Sequence, residues 1–249
     1  MKLLSIGNSF SQDAQKWLHQ IAESAGAEIH AVNLYIGGCP LVVHWNHFLD
    51  REPAYEMWIN GEFVKKISLN EALTLEKWDV ITFQQASPGS GDYSTFQPYL
   101  NYLYREVKAI CPEAEYYIHQ TWSYEVDCKL AAFDNYMRSR YIMDKASVAA
   151  YNLAAAETGL ELIPCGDLIR YIRTLPEFDY PRGGRSINRD GFHLTFDYGR
   201  YAAGVMWYAF LTGGDPRKVT FVPVVNDIAA DENILAKLRE AVYAVLHSK

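Results

Sequence analysis

Long apolar runs are missing from this chain. The longest, around "AAGVMWYAFL", is too short to cross a bilayer, which takes about 20 residues. The N-terminal "MKLL" sets a lysine before two leucines, but polar "SIGNSFSQD" follows before a signal peptide's apolar segment of about 7 to 15 residues can form. A soluble, cytoplasmic protein with no membrane span is the expectation. Cysteine is sparse: Cys39, Cys111, Cys128 and Cys165 lie far apart with no C-x-x-C pair. Neither a zinc ribbon nor a disulfide framework is signalled, so buried free thiols are expected. Positive charge is short as well. The net charge is −7, and the one compact basic stretch is "RGGR" at 182–185, which leaves a nucleic acid backbone little to hold. Metal-ligand clusters reduce to His44 and His47 in "HWNH", a pair that falls short of the ligand count a zinc ion needs, so no metal is expected. No 20-to-50-residue period, low-complexity tract or linker divides the 249 residues, and a single domain over 1–249 is the simplest organisation.

What is present is an alternation of strands and helices. Apolar or β-branched runs at Leu3–Ile6, Ile29–Ile36, Val80–Phe83, Tyr116–Ile118 and Leu160–Ile163 are followed mostly by helical patterns. Helices are expected over about 11–25 ending at Gly26, about 99–109 before Pro112, about 147–157 ending at Gly159, and through "YGRYAAGVMWYAFLTGG". Five such strands imply an α/β fold with a parallel sheet covered on both faces. Two excursions interrupt the rhythm. Asn60-Gly61 between strand-like runs predicts a β-hairpin insertion at about 55–70, outside the main sheet. The segment from Trp122 to Asp144 is long, polar and aromatic. Both follow strands, on the side where open α/β sheets bind ligands.

Two short motifs carry chemistry. In "IGNSFSQ" the first strand stops at Gly7 and a helix begins at once, which makes Ser9 both a natural N-cap, with Gln12 completing a capping box, and a candidate nucleophile. Near the other end, "RDGFHLT" spaces Asp190 and His193 i, i+3 in a loop leading to a helix whose expected N-cap is Thr195. A carboxylate so placed can take the imidazole Nδ1–H and leave Nε2 as a base for a serine hydroxyl, which is a poor nucleophile until a base removes its proton. Alone, each motif reads equally as a helix cap or a surface ion pair. Together they carry more, since doubly wound topology can bring both to one edge of the sheet.

"IGNSFS" resembles the nucleophile block of the SGNH hydrolases, the GDSL-type esterases, and "DGFHL" resembles their closing Asp-x-x-His block. "LYIGGCPL", after the second strand, is similar to their glycine block. The blocks stand in the family's order over residues ~5 to 212, and "GNSFS", "NLYIGGC", the "QQ-x-S" block and "RDGFHL" are similar to an uncharacterised bacterial branch of that superfamily. The resemblance implies a three-layer α/β/α sandwich on a flavodoxin-like five-stranded parallel sheet. It also implies a catalytic triad of Ser9, Asp190 and His193, an oxyanion hole with the N–H groups of Ser9 and Gly38, and no cofactor. One block departs: where the family has Gly-x-Asn-Asp after the third strand, this chain has "WDVITFQQASPGSGD". A glutamine amide has the same donors on a longer arm, so Gln85 is the expected substitute, with Gln84 and Ser87 as alternates.

The substrate is less legible. Trp45 and Trp122 offer flat faces for a sugar ring, and no wide lipid channel or membrane-facing helix is evident. A small-molecule or oligosaccharide ester bearing a short acyl group, such as acetyl, is the expected substrate. The alternatives are a lipase or thioesterase of the same superfamily and a carbohydrate-binding module that has lost catalysis.

Overall fold

In a computed structural model, which describes residues 1–248, the alternation folds as three layers. In chain order the elements are β1 (Lys2–Gly7), α1 (Ser9–Gln15), α2 (Leu18–Ser24), β2 (His30–Tyr35), α3 (Leu41–Asp50), β3 (Tyr55–Ile59), β4 (Glu62–Ile67), α4 (Leu69–Leu75) and β5 (Val80–Phe83). They continue with α5 (Tyr99–Ile110), β6 (Glu115–His119), α6 (Arg140–Thr158), β7 (Glu161–Ile163), α7 (Cys165–Ile172), α8 (Tyr198–Thr212), β8 (Val224–Val225), β9 (Ile228–Ala229) and α9 (Glu232–Leu246).

The central sheet runs β4-β3-β2-β1-β5-β6-β7, while β8 and β9 form a separate antiparallel pair. Its five parallel strands, β2-β1-β5-β6-β7, have the flavodoxin-like order that the resemblance implies. Successive strand residues feed opposite cores. Leu3, Ala31 and Val80 face the layer of α1, α2, α7, α8 and α9, whereas Leu4, Val32 and Ile81 face the layer of α3, α4 and α5. Burial on both faces is why these strands read as continuous apolar runs.

The hairpin forms where Asn60-Gly61 placed it, with φ of 50° and 84° at the two turn residues. It does not stand outside the main sheet, however. β3 pairs antiparallel with β2, from Val32 opposite Ile59 to Tyr35 opposite Glu56. The free edge of β2 gives Tyr55, Met57 and Ile67 an apolar layer to enter, so the insertion becomes the sheet's margin. The first expected helix is likewise divided. Lys16 and Trp17 leave the helical path, with Lys16 Nζ donating to Gly61 O at 3.0 Å and Trp17 Nε1 donating to Phe196 O at 2.9 Å. α8 is capped by Asp197 rather than Thr195, whose hydroxyl instead accepts the Gly199 N–H one residue into the first turn. Among the described residues no helix is long and apolar enough to cross a membrane.

Candidate active site

The order reversal beside β1 leaves a crevice beyond the carboxyl ends of β1 and β5, where the connections to their helices diverge. The residues after β1 are Asn8 and Ser9; those after β5 are Gln84 and Gln85. Gly7 permits α1 to start directly against the strand, because a Cβ there would lie 2.2 Å from Ser11 Oγ and 3.2 Å from Gln84 Cδ. The cap of α1 is Asn8, not Ser9: Asn8 Oδ1 accepts the Phe10 N–H at 3.0 Å. Ser9 is therefore the first helical residue. Its hydroxyl makes no hydrogen bond among the described residues and is not sealed from solvent.

α1 is hydrogen-bonded to the sheet as well as packed on it. Ser11 Oγ donates to Asn33 Oδ1 at 2.8 Å, Gln15 Nε2 donates to Ser5 Oγ, and Thr82 Oγ1 donates to Ser5 Oγ at 2.8 Å. All of these side chains are buried. Buried polar pairs of this kind specify one register for the helix on the strands, which apolar contact alone would leave free to slide. Asn8 extends the lattice. Its Nδ2 donates to Cys39 O at 3.3 Å, tying the glycine turn to the start of α1, and its Oδ1 also accepts Gln84 Nε2 at 2.5 Å. Gln84 Oε1 in turn accepts from His119 Nδ1 at 2.8 Å. Burial pushes the His119 imidazole down to about 3, so it is neutral and donates from Nδ1.

The second motif is a closed loop. Asn188 and Leu194 form an isolated antiparallel bridge, and Arg189 N donates to His193 O at 2.9 Å. Inside it, His193 Nδ1 and Asp190 Oδ2 are 2.7 Å apart, and Asp190 Oδ1 accepts the N–H groups of His193 at 2.8 Å and Phe192 at 3.2 Å. Burial alone would raise the Asp190 carboxyl, but the His193 imidazole and these two N–H groups more than offset it and hold the group below the usual aspartate value. Ionised Asp190 fixes the Nδ1–H tautomer. That leaves His193 Nε2 unpartnered on a side chain 19% exposed.

The two motifs meet through α1. Phe10, beside Ser9, has its ring 6.2 Å from the His193 ring and stacks on Trp122 at 4.4 Å, and Trp122 Nε1 donates to Phe192 O at 2.7 Å. Asp13 Oδ2 accepts the Leu194 N–H at 2.8 Å. Ser9 stands one helical turn from Asp13 on the same face, so its hydroxyl and the His193 loop share one side of α1. No hydrogen bond joins Ser9 Oγ to His193 in this structure. Neither the Ser9 N–H nor the Gly38 N–H has an acceptor among the described residues, and Gly38 lies exposed at φ +62°.

A family described as a domain of unknown function, DUF4886, matches residues 2–244. The chain belongs to the DUF4886 family. A crystal structure of a DUF4886 family protein from Bacteroides uniformis ATCC 8492 superposes with a TM-score of 0.89 at 33% identity, over 100% of this chain and 95% of that one. A candidate SGNH hydrolase from Slackia heliotrinireducens gives a TM-score of 0.56 at 21% identity, over 85% of this chain and 98% of its own. An acetyl xylan esterase, AlAXEase, gives 0.55 at 14%, over 84% and 99%. At such identities the likeness to SGNH proteins is one of fold. No curated protein matches the chain.

Three expectations change in this DUF4886 chain. Gln85 has no donor to spare: its Nε2 donates to Thr95 O at 2.7 Å and Thr95 Oγ1 at 3.0 Å, and its Oε1 accepts the N–H groups of Leu41 at 3.1 Å and Ala86 at 2.8 Å. Ser87 is similarly engaged, with Tyr124 Oη at 2.9 Å, and Gln84 holds Asn8 and His119. Trp122 is 1% exposed between Phe10 and the His193 loop, so it has no face for a sugar. Trp45 packs on Phe48 and Tyr102, at 5.7 Å and 5.2 Å, where α3 meets α5. His44 is buried, with Nδ1 2.9 Å from Tyr55 Oη and 3.5 Å from Cys39 Sγ, and among the described residues no three His, Cys, Asp or Glu side chains converge on one point. A cavity of about 680 Å³ between α6 and α7 is lined by Arg140, Tyr141, Lys145 and Arg170 and by none of these candidate residues.

Asp13 went unread in the sequence, although a signal for it exists. It falls on the apolar stripe of Phe10, Ala14 and Trp17, where a charge is out of place unless it has partners.

Proposed function

We infer that the protein is a serine hydrolase that cleaves short acyl esters, acetyl foremost and on a carbohydrate, through an acyl-enzyme. The observation that carries this reading is the Asp190–His193 pair, with Nε2 left open, in a loop fastened to the helix that begins at Ser9. Ser9 Oγ attacks the ester carbonyl as His193 Nε2 takes its proton, and Asp190 stabilises the imidazolium that results. The N–H groups of Ser9 and Gly38 receive the oxyanion. As the tetrahedral intermediate collapses, the C–O bond to the alcohol breaks and His193 returns the proton to the leaving oxygen. Water then attacks the acyl-serine with the same base, releasing the acid and restoring Ser9. The Ser9–His193 hydrogen bond is the contact left to form on substrate binding, as such bonds are often long in ligand-free enzymes.

The short acyl group is supported by the fold shared with an acetyl xylan esterase. A hole of two backbone donors costs rate, since one donor is worth on the order of 10²–10³-fold, and that favours an activated or small ester over a demanding one. The test is hydrolysis of p-nitrophenyl esters from acetyl to palmitoyl by the wild type and by Ser9→Ala, run beside acetylated xylo- and gluco-oligosaccharides. Activity should fall steeply beyond about four acyl carbons, because each CH₂ that finds no apolar pocket forgoes ~0.8 kcal/mol. Preference for palmitoyl would reject the carbohydrate ester in favour of a lipase or thioesterase. No turnover of any ester, with sugar binding measurable by calorimetry, would instead indicate a binding module, the reading that the fully engaged Gln85 favours.

A further inference from the structure

The His193 loop is held at both ends by one carboxylate. Asp13, 1% exposed on α1, accepts the Leu194 N–H at 2.8 Å just after His193, and both its oxygens accept Arg189 Nη1 at 3.1 Å just before Asp190. Its Oδ1 also accepts Arg200 Nε at 2.8 Å from α8. Arg189 Nη1 donates in addition to Leu194 O, which closes the base of the loop. The ring of Phe196 lies 4.7 Å from each guanidinium, so the two cations flank an aromatic as well as a shared anion. Packing alone does not explain a carboxylate here. An apolar residue would cover Phe10 and Ala14 without having to compensate two guanidiniums, and a buried charge is retained only where its partners are well placed.

We propose that Asp13 is a positioning residue that sets the separation of Ser9 from His193 by joining their two elements through one carboxylate. This rests on the serine-hydrolase reading above. Ser9 and Asp13 ride the same face of α1 one turn apart, so a shift of the loop against Asp13 is a shift of the base against the nucleophile. The carboxylate also neutralises Arg189 and Arg200, which would otherwise repel each other and part the loop from α8. Asp190 holds the imidazole's orientation within the loop, and Asp13 holds the loop itself.

The experiment compares wild type, Asp13→Asn and the milder Arg189→Lys, which keeps the charge but loses the planar fork. Each is assayed on p-nitrophenyl acetate at a temperature where far-UV circular dichroism shows it folded. A displacement of about 1 Å costs on the order of 10²-fold in rate, so kcat for Asp13→Asn should fall by about that factor with KM within about twofold, and by less for Arg189→Lys. The downfield proton resonance of His193 Nδ1–H, reporting the bond to Asp190, should persist in both. A merely structural role would leave kcat per folded molecule unchanged. Wild-type hydrolysis that Ser9→Ala does not reduce would sink the hydrolase reading alone. In that event a crystal structure of Asp13→Asn still decides the proposal: residues 189–194 displaced from α1 support it, and an unmoved loop overturns it. Serine-dependent activity with kcat of both folded variants within about twofold of wild type overturns it directly.

Discussion

Replacing Gln85 by alanine should unfold the protein more readily without impairing its chemistry. The side chain joins the start of α3, the N–H of neighbouring Ala86 and Thr95 through four hydrogen bonds. Thr95 Oγ1 keeps Gly89 O and Asp92 O as partners after the loss, but the N–H groups of Leu41 and Ala86, both in buried residues, lose theirs. An orphaned buried donor costs about 1–3 kcal/mol, so two give about 2–6 kcal/mol, with water entering the vacated space drawing the figure towards ~3 kcal/mol. At about 2–4 °C per kcal/mol for a chain of this length, Tm should drop by about 6–12 °C. Calorimetric Tm and urea midpoints measure the first effect, and kcat on p-nitrophenyl acetate at 20 °C, normalised to folded protein, measures the second. A Tm within a degree of wild type together with a 10²-fold fall in kcat would refute the reasoning and restore Gln85 to the oxyanion hole.

Gln84→Ala should do the reverse in part, lowering kcat about tenfold because Asn8, which fixes both the Ser9 turn and the glycine turn, loses its anchor; kinetics equal to wild type would contradict this. Trp122→Phe should cost about 1–2 kcal/mol in urea unfolding, from the lost bond to Phe192 O and a small void, and leave sugar affinity by calorimetry untouched. Burial pushes both His44, aided by the nearby His47, and His119 down to about 3. The unfolded chain binds protons on these groups below about 6.5 that the folded chain refuses, so stability is full above that pH and falls below it, by roughly 2 kcal/mol between pH 6 and 5 for the pair. Urea unfolding at pH 7, 6 and 5 reads the slope, and a flat profile would mean that neither ring is buried neutral.

What could be read from the sequence was local. The Asp190–His193 bond joins residues three apart in a tight loop, and the Asn60-Gly61 turn demands positive φ at both positions, so neither depends on the distant chain. The apolar strand runs pointed to a parallel sheet because burial on both faces leaves a mark on every residue, whereas the flavodoxin-like order was implied only by the resemblance to the SGNH hydrolases. Which edge the hairpin joins left no such mark, since β3 joins β2 through backbone pairing, which any side chains can flank, rather than through a motif. Gln84 and Gln85 are chemically identical neighbours whose roles are set by Asn8, His119, Leu41 and Thr95, partners from other elements. Trp122 looked like a ligand platform because an aromatic side chain serves packing and recognition equally well until its neighbours are known.

The reach of the Asp13 contacts bears on how the chain folds. They close over 176, 181 and 187 residues to Arg189, Leu194 and Arg200, whereas the hairpin and each strand–helix–strand unit close over far shorter stretches. Contacts of high sequence separation carry the larger loop-closure entropy and form late. On the ribosome, most of the central sheet can assemble while the segment beyond residue 188 is still inside the exit tunnel. The contacts that fasten the loop of residues 189–194 to α1 are thus among the last that the fold can close.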